Sequence, residues 1–185
     1  MFCPDCGSWN RSALRTCARC SRPLPDVRGP SEVPDALVTA LRHALGTRYR
    51  IVRRVGSGGM AEVYEGRHHL LARRVAVKVL HPHLARDPEM RARFRREAEA
   101  ASRLAHPFIC SPIDYGEVEE TVALVQPFLA GGCFADEVLE GRRVAAPRVA
   151  RIAAQLATAL DYAARQGVIH RDVKPDNVLF DEDEN

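Results

Sequence analysis

The chain has 185 residues, 46% of them hydrophobic and 28% charged, with a formal net charge of +3. That is the balance of a globular protein of about one to one and a half domains, and it excludes a collagen-like or fully disordered chain. The charge is too small to argue for nucleic acid, no stretch nears the roughly 18 apolar residues of a membrane span, and Met1 to Cys6 lacks the basic and apolar runs of a secretory signal, so a cytoplasmic chain with reduced thiols is expected.

Taken in chain order, the first signal is four cysteines, Cys3, Cys6, Cys17 and Cys20, in two Cys-x-x-Cys pairs with ten residues between them. Each pair can grip one metal ion from a tight turn, and two such turns close a tetrahedral four-sulfur zinc site. A segment this short buries too little surface to fold alone, so the metal would supply the folding energy. The rival readings are two disulfides or a redox pair, and disulfides fit poorly with a reducing compartment. Residues 1–22 therefore read as a zinc ribbon, and 23–47 as a proline-stiffened linker with a short helix. In that helix, Ala36 to Leu45, one face carries Leu37, Leu41, Ala44 and Leu45, and Gly46 can end it. Its expected use is to pack on the domain that follows.

From residue 48 the pattern is that of an α+β domain. Strands are expected at Tyr49–Val55, Ala61–Gly66 and Val75–Leu80, then a helix over Pro88–Ala105. A second hairpin follows at Ile113–Glu117 and Thr121–Gln126. A long amphipathic helix, Pro147–Arg165, presents Val149, Ile152, Ala153, Leu156, Leu160 and Ala163 on one side. An irregular polar loop and a short strand, Val178–Phe180, precede the acidic run Asp181-Glu182-Asp183-Glu184. Cys110 and Cys133 stand alone and read as core thiols.

Three places concentrate chemistry. Gly56-Ser57-Gly58-Gly59-Met60-Ala61 joins the first two strands, and a glycine turn lets backbone amides approach phosphate oxygens. A strand follows this turn, so the glycines are not a dinucleotide-binding fingerprint, which needs a helix there. The second place is Lys78, a single cation in the apolar strand Val75–Val79. It is one of only two lysines among 27 basic residues. At about 100° per residue, Met90, Phe94, Ala98, Ala101 and Leu104 define the inner face of the next helix, and Glu97 falls in the middle of it. A carboxylate on an apolar face needs a cation. Lys78 is the expected partner, with Arg91 and Arg93 as alternatives. The third place is His170-Arg171-Asp172-Val173-Lys174-Pro175-Asp176-Asn177, bracketed by apolar residues. It sets a base, Asp172, beside the other lysine, Lys174, and a metal-type ligand, Asn177.

In this order the glycine loop, strand lysine, helix glutamate and His-Arg-Asp-x-Lys-x-x-Asn loop resemble the protein-kinase signature set. The Gly-Gly-Met turn and the Arg-Arg-Glu-Ala helix are most similar to bacterial serine/threonine kinases of the eukaryotic-like family. The resemblance covers Tyr49 to the last residue and implies a kinase-like fold: an antiparallel upper lobe with one helix, then the start of a helical lower lobe. It implies ATP and Mg²⁺ as cofactors and protein serine or threonine as substrate. By position, Gly56, Ser57, Gly58, Gly59, Met60 and Ala61 would cover the phosphates. Lys78 would hold the α- and β-phosphates and pair with Glu97. Val63 and Ala76 would sandwich the adenine, Gln126 would stand as gatekeeper, and Pro127 and Leu129 would meet the adenine edge. Asp172 would accept the substrate proton, Lys174 would steady the γ-phosphate, and Asn177 would bind Mg²⁺.

The family continues with a strand and Asp-Phe-Gly, whose Asp binds magnesium, whereas residues 181–185 resemble the turn before that strand. The expectation is therefore a fragment of a kinase, or a truncated non-catalytic nucleotide- or protein-binding module. Residues 1–185 alone would transfer little phosphate, and the apolar face of the long helix would call for a partner chain. The amino-terminal ribbon would dock protein rather than nucleic acid.

Overall fold

The computed structural model describes residues 16–17, 19–23, 33–139 and 144–182. The expected linker at 24–32, and Cys3 and Cys6, lie outside these.

Chain order runs from α1 (Asp35–Leu45) through β1 (Tyr49–Ser57), β2 (Ala61–His68) and β3 (Arg74–Leu80) to the one-turn α2 (Pro82–Ala85) and α3 (Pro88–Ser102). Then come β4 (Asp114–Val118), β5 (Thr121–Pro127), β6 (Gly132–Cys133), α4 (Phe134–Leu139), α5 (Ala146–Arg165) and β7 (Leu179–Phe180). The first five strands make one antiparallel sheet in the order β1-β2-β3-β5-β4, and β6 pairs with β7.

Strand alternation divides the sheet into two working faces. Val75, Val77 and Val79 of β3, with Ala123 and Val125 of β5, point to the face covered by α1, where Leu41 and Leu45 are buried. Leu80, Val122 and Leu124 point the other way and meet Phe94 and Ala98 of α3. Lys78 and Ala76 share this second face. The short helix read at Ala36–Leu45 thus belongs to the domain behind it, as expected from its leucine stripe. Burying Leu41 and Leu45 there contributes about 2 kcal/mol each.

α3 begins cleanly: Asp87 caps it by accepting from the amides of Glu89 and Met90, and Pro88 occupies its first turn. It ends at Ser102, three residues before the sequence-based limit. α5 docks through Ile152, Ala159 and Ala163, which are buried. The Tyr162 hydroxyl accepts from the Ala105 amide at 3.2 Å, fixing this helix beneath the α3–β4 connection. The face of α5 is rotated relative to the sequence reading, because Val149 and Ala153 are exposed whereas Ala159 is buried. Alanines on several sides of this helix let a small change in packing direction choose among them.

Candidate active site

The turn Gly58–Met60 between β1 and β2 is held by three bonds. The Gly58 amide donates to Ala61 O at 2.9 Å, the His81 amide donates to Met60 O at 3.0 Å, and the His81 ring Nε2 donates to Gly58 O at 2.7 Å. His81 was not singled out by the sequence: it is one residue beyond β3, and only the hairpin's fold brings it back over the glycines.

Below this loop, Val63 pairs with Lys78 and Glu65 with Ala76, so Val63, Ala76 and Lys78 lie together on the cleft-side face. Ala76 also pairs with Gln126 on β5. The Gln126 side-chain amide donates to Cys110 O at 3.0 Å, which holds it at the back of the cleft. Pro127 ends β5 opposite Val75, and the Phe128 amide donates to Arg74 O at 3.4 Å. The Leu129 amide makes no backbone bond among the described residues. The Arg74 guanidinium lies over the Phe128 ring at 4.2 Å and bonds buried Glu65 at 2.9 Å. Burial acts to raise the Glu65 pKa, but the bond from Arg74 and the charges of Arg53 and Arg74 hold it below the ordinary glutamate value.

The Lys78–Glu97 ion pair expected from the sequence is not formed. Glu97 bonds Arg93, one turn back on α3, at 2.8 Å, and the two side chains are 58% and 60% exposed. Arg93 is one of the two alternatives the sequence left open. The physical reason is local: a four-residue spacing on a solvated helix face lets the pair form within α3, without desolvating either group. Lys78 nonetheless points toward the same helix, its Nζ 5.8 Å from the Phe94 ring centre. Although the residue retains exposed surface, packed atoms around the ammonium pull its pKa below the ordinary lysine value, and the Glu97 charge partly restores it.

The loop after α5 brings its three expected residues into contact. Lys174 Nζ lies 2.9 Å from Asp172 Oδ2. Asn177 Nδ2 donates to Asp172 O at 2.8 Å and to Asp172 Oδ2 at 3.1 Å. The Asp172 amide donates to His170 Nδ1 at 3.3 Å. Bonds from Lys174 and Asn177 hold the Asp172 carboxyl below its ordinary range, so it is ionised at neutral pH. Arg171, just before it, has a φ of 62°, a left-handed conformation unusual for a side chain of this size. The loop is fastened from behind by buried Cys133, whose Sγ lies 3.3 Å from Pro175 O and 3.4 Å from Asp176 O. Burial pushes the Cys133 thiol up to about 11, which suits a donor rather than a nucleophile. The sequence marked Cys133 only as a core thiol. Its bond to the loop depends on β6 pairing with β7.

The arrangement thus offers a glycine turn above a cation and an apolar slot, with a carboxylate, an ammonium and an amide on the loop after α5. The protein kinase domain family matches residues 49–185. The chain belongs to this family. Among similar proteins, the serine/threonine-protein kinase PknJ of Mycobacterium tuberculosis is 44% identical over 132 residues, covering 71% of this chain and 22% of PknJ. The serine/threonine-protein kinase pkn2 of Myxococcus xanthus is 40% identical over 147 residues, covering 80% of this chain and 17% of pkn2. The crystal structure of the Mycobacterium tuberculosis PknI kinase domain superposes with a TM-score of 0.64 at 36% identity, over 72% of this chain and 54% of that one. The chain therefore spans about a fifth of the length of these curated relatives and about half of a solved kinase domain. Residues 49–185 form part of a serine/threonine-type kinase domain with the antiparallel upper lobe intact.

Among the described residues no helix is long and apolar enough to cross a membrane, and no group of three or more His, Cys, Asp or Glu is placed to hold a metal ion.

Proposed function

We propose that this kinase-type domain binds ATP with Mg²⁺ and transfers the γ-phosphoryl group to serine or threonine hydroxyls of proteins. The observation that carries the reading is the Asp172–Lys174–Asn177 cluster. One oxygen of Asp172 is occupied by Lys174 and Asn177, leaving Oδ1 to accept the substrate proton. Lys174, held beside Asp172, would steady the γ-phosphate. Asn177 spends its amide nitrogen on Asp172, which leaves Oδ1 as a hard oxygen ligand for Mg²⁺. Bound Mg²⁺ neutralises charge on the phosphates. Across the cleft, Gly56, Ser57, Gly58, Gly59, Met60 and Ala61 cover the phosphates and Lys78 meets them. Val63 and Ala76 hold the adenine, and Pro127 O and Leu129 N–H meet its edge. Glu97, whose charge acts to raise the Lys78 pKa, would pair with Lys78 in the nucleotide-bound state.

Because residues 1–185 alone are expected to transfer little phosphate, the test is a radiolabelled-ATP transfer assay in a longer chain that joins residues 1–185 to a complete kinase lower lobe, against a serine/threonine substrate. Asp172→Asn should abolish transfer while leaving binding of a fluorescent ATP analogue intact, and Lys78→Met should weaken that binding about tenfold or more. Transfer that persists in Asp172→Asn would refute the assignment.

The zinc reading extends to the amino terminus, with Cys3, Cys6, Cys17 and Cys20 as ligands. In its support, Cys17 is buried, the Arg19 amide donates to Cys17 Sγ at 3.4 Å, and the turn closes by Cys17 N–H to Arg22 O at 2.7 Å. The Arg19 amide aimed at the Cys17 sulfur favours the thiolate that zinc requires. Purified protein should hold about one zinc per chain, lost in Cys17→Ser/Cys20→Ser. The apolar side chains Val149, Ile169 and Val173 are 42%, 72% and 56% exposed, which supports a partner chain or further polypeptide over this side of the molecule. Reduced thiols and an ATP substrate suit the cytoplasm.

A further inference from the structure

The glycines of the turn Gly58–Met60 have no packing to hold them. A Cβ built at Gly59 would meet no atom within 4 Å, and one at Gly58 would meet nothing nearer than Ala61 O at 3.8 Å. The conformation of these residues therefore rests on hydrogen bonds, and glycine has the widest choice of alternatives when such bonds are lost. Two of the three bonds that hold the turn come from one residue outside the hairpin, His81, through its amide and its ring.

His81 is itself well anchored. Its carbonyl accepts from the amides of Leu84 and Ala85 at 2.9 and 2.8 Å, and Ala85 is buried in one cluster with Leu80 and Phe94. The His83 ring stacks on the imidazole, with 5.6 Å between ring centres.

The direction of these bonds bears on phosphate. The His81 amide extends the β2–β3 ladder by donating to Met60 O, so its side chain leaves the sheet on the same side as Val79, opposite Lys78. The ring holds the Gly58 carbonyl on that side at 2.7 Å. In a planar trans peptide the following N–H points the opposite way, so the Gly59 amide is turned to the side of Lys78. That amide makes no backbone bond among the described residues.

On the nucleotide reading given above, we propose that His81 is a positioning residue for nucleotide phosphate. By holding the Gly58 carbonyl, its Nε2–H aims the Gly59 amide at the phosphate oxygens. His81 touches no substrate atom itself. An amide aimed in advance binds an anion better than one that must be ordered at the moment of binding.

Two variants of the 185-residue chain separate the ring from the donor. His81→Phe keeps a ring beside His83 but cannot donate, whereas His81→Gln carries an N–H at about the same reach as Nε2. A fluorescent ATP analogue with Mg²⁺ should bind His81→Phe about three- to tenfold more weakly than the parent, and His81→Gln within about twofold of it. Adenosine, which has no phosphate, should compete with equal affinity in all three chains; a general loosening of the lobe would weaken it too. Without nucleotide, NMR relaxation should give the Gly59 amide an order parameter of about 0.85 in the parent and in His81→Gln, and below about 0.6 in His81→Phe. The positioning role is overturned if His81→Phe binds the analogue as tightly as the parent, if adenosine weakens in parallel, if His81→Gln restores nothing, or if Gly59 stays ordered in His81→Phe. In each of those cases nucleotide binding by the parent stands. A parent chain that binds neither the analogue nor adenosine instead refutes the nucleotide reading, and the role of His81 falls with it.

Discussion

Replacing Gly131 by Ala tests the joint that fastens β7, which follows the Asp172 loop, to the segment after β5. At Gly131 an added Cβ would sit 2.1 Å from Asp181 O and 2.8 Å from both Phe180 Cβ and Phe180 O. None of these atoms is the free end of a flexible side chain, so β7 must retreat from the 131–134 segment. That movement breaks the bonds from the Gly131 amide to Phe180 O at 2.8 Å and from the Phe134 amide to Val178 O at 2.9 Å. Each contributes about 1 kcal/mol. Phe180, only 3% exposed, loses part of a burial that is worth about 2 kcal/mol in full. The expected cost is about 3 kcal/mol, which for a chain of this size lowers the melting temperature by roughly 6–12 °C. Circular dichroism melting of parent and variant chains measures this, and hydrogen exchange should show the Phe134 amide losing protection. A variant that melts within about 1 °C of the parent, with Phe134 still protected, would refute the reasoning.

Three further outcomes follow from the geometry. Gly116→Ala puts a Cβ 2.4 Å from Ala44 O and 2.7 Å from Leu45 Cδ2, so α1 should lift from the sheet at a cost of about 2–4 kcal/mol, read by chemical denaturation. The folded-state pKa of Asp172 is depressed, so its ionised contacts persist at and above the ordinary aspartate range and are lost only as pH falls through the lowered value. Carbon-13 NMR should find that titration below the ordinary range, and Lys174→Met should move it upward; an unchanged midpoint would remove Lys174 as the cause. Glu97→Ala removes an exposed pair and should change stability by no more than about 0.5 kcal/mol, yet lower the Lys78 pKa further, seen as faster acylation of Lys78 at a fixed pH.

Much of the domain was legible because its signals are local. The period-2 runs around Val75–Leu80 and Thr121–Gln126 gave strands within one residue of their limits, since β-branched residues on alternate positions have few other uses. The helix after Pro88 was marked by its apolar stripe, and the structure adds the Asp87 cap. The loop residues Asp172, Lys174 and Asn177 were found as a group because five residues of chain cannot separate them far.

The sequence by itself determined the kinase-type motif order and most of the strands and helices that carry it, and it singled out the residues proposed to meet phosphate, metal and substrate. Tertiary structure alone decided how these residues are partnered. Glu97 has both Lys78 and Arg93 within reach in principle, and pattern alone cannot weigh a solvated i,i+4 pair against a bridge that must be desolvated. His81 meets Gly58, Cys133 meets Pro175, and Arg50 faces Arg67 only because the sheet register brings distant segments side by side. Periodicity reports which face a side chain takes along its own element. The identity of the neighbour across the gap depends on the packing of two elements, and that is a property of the folded chain.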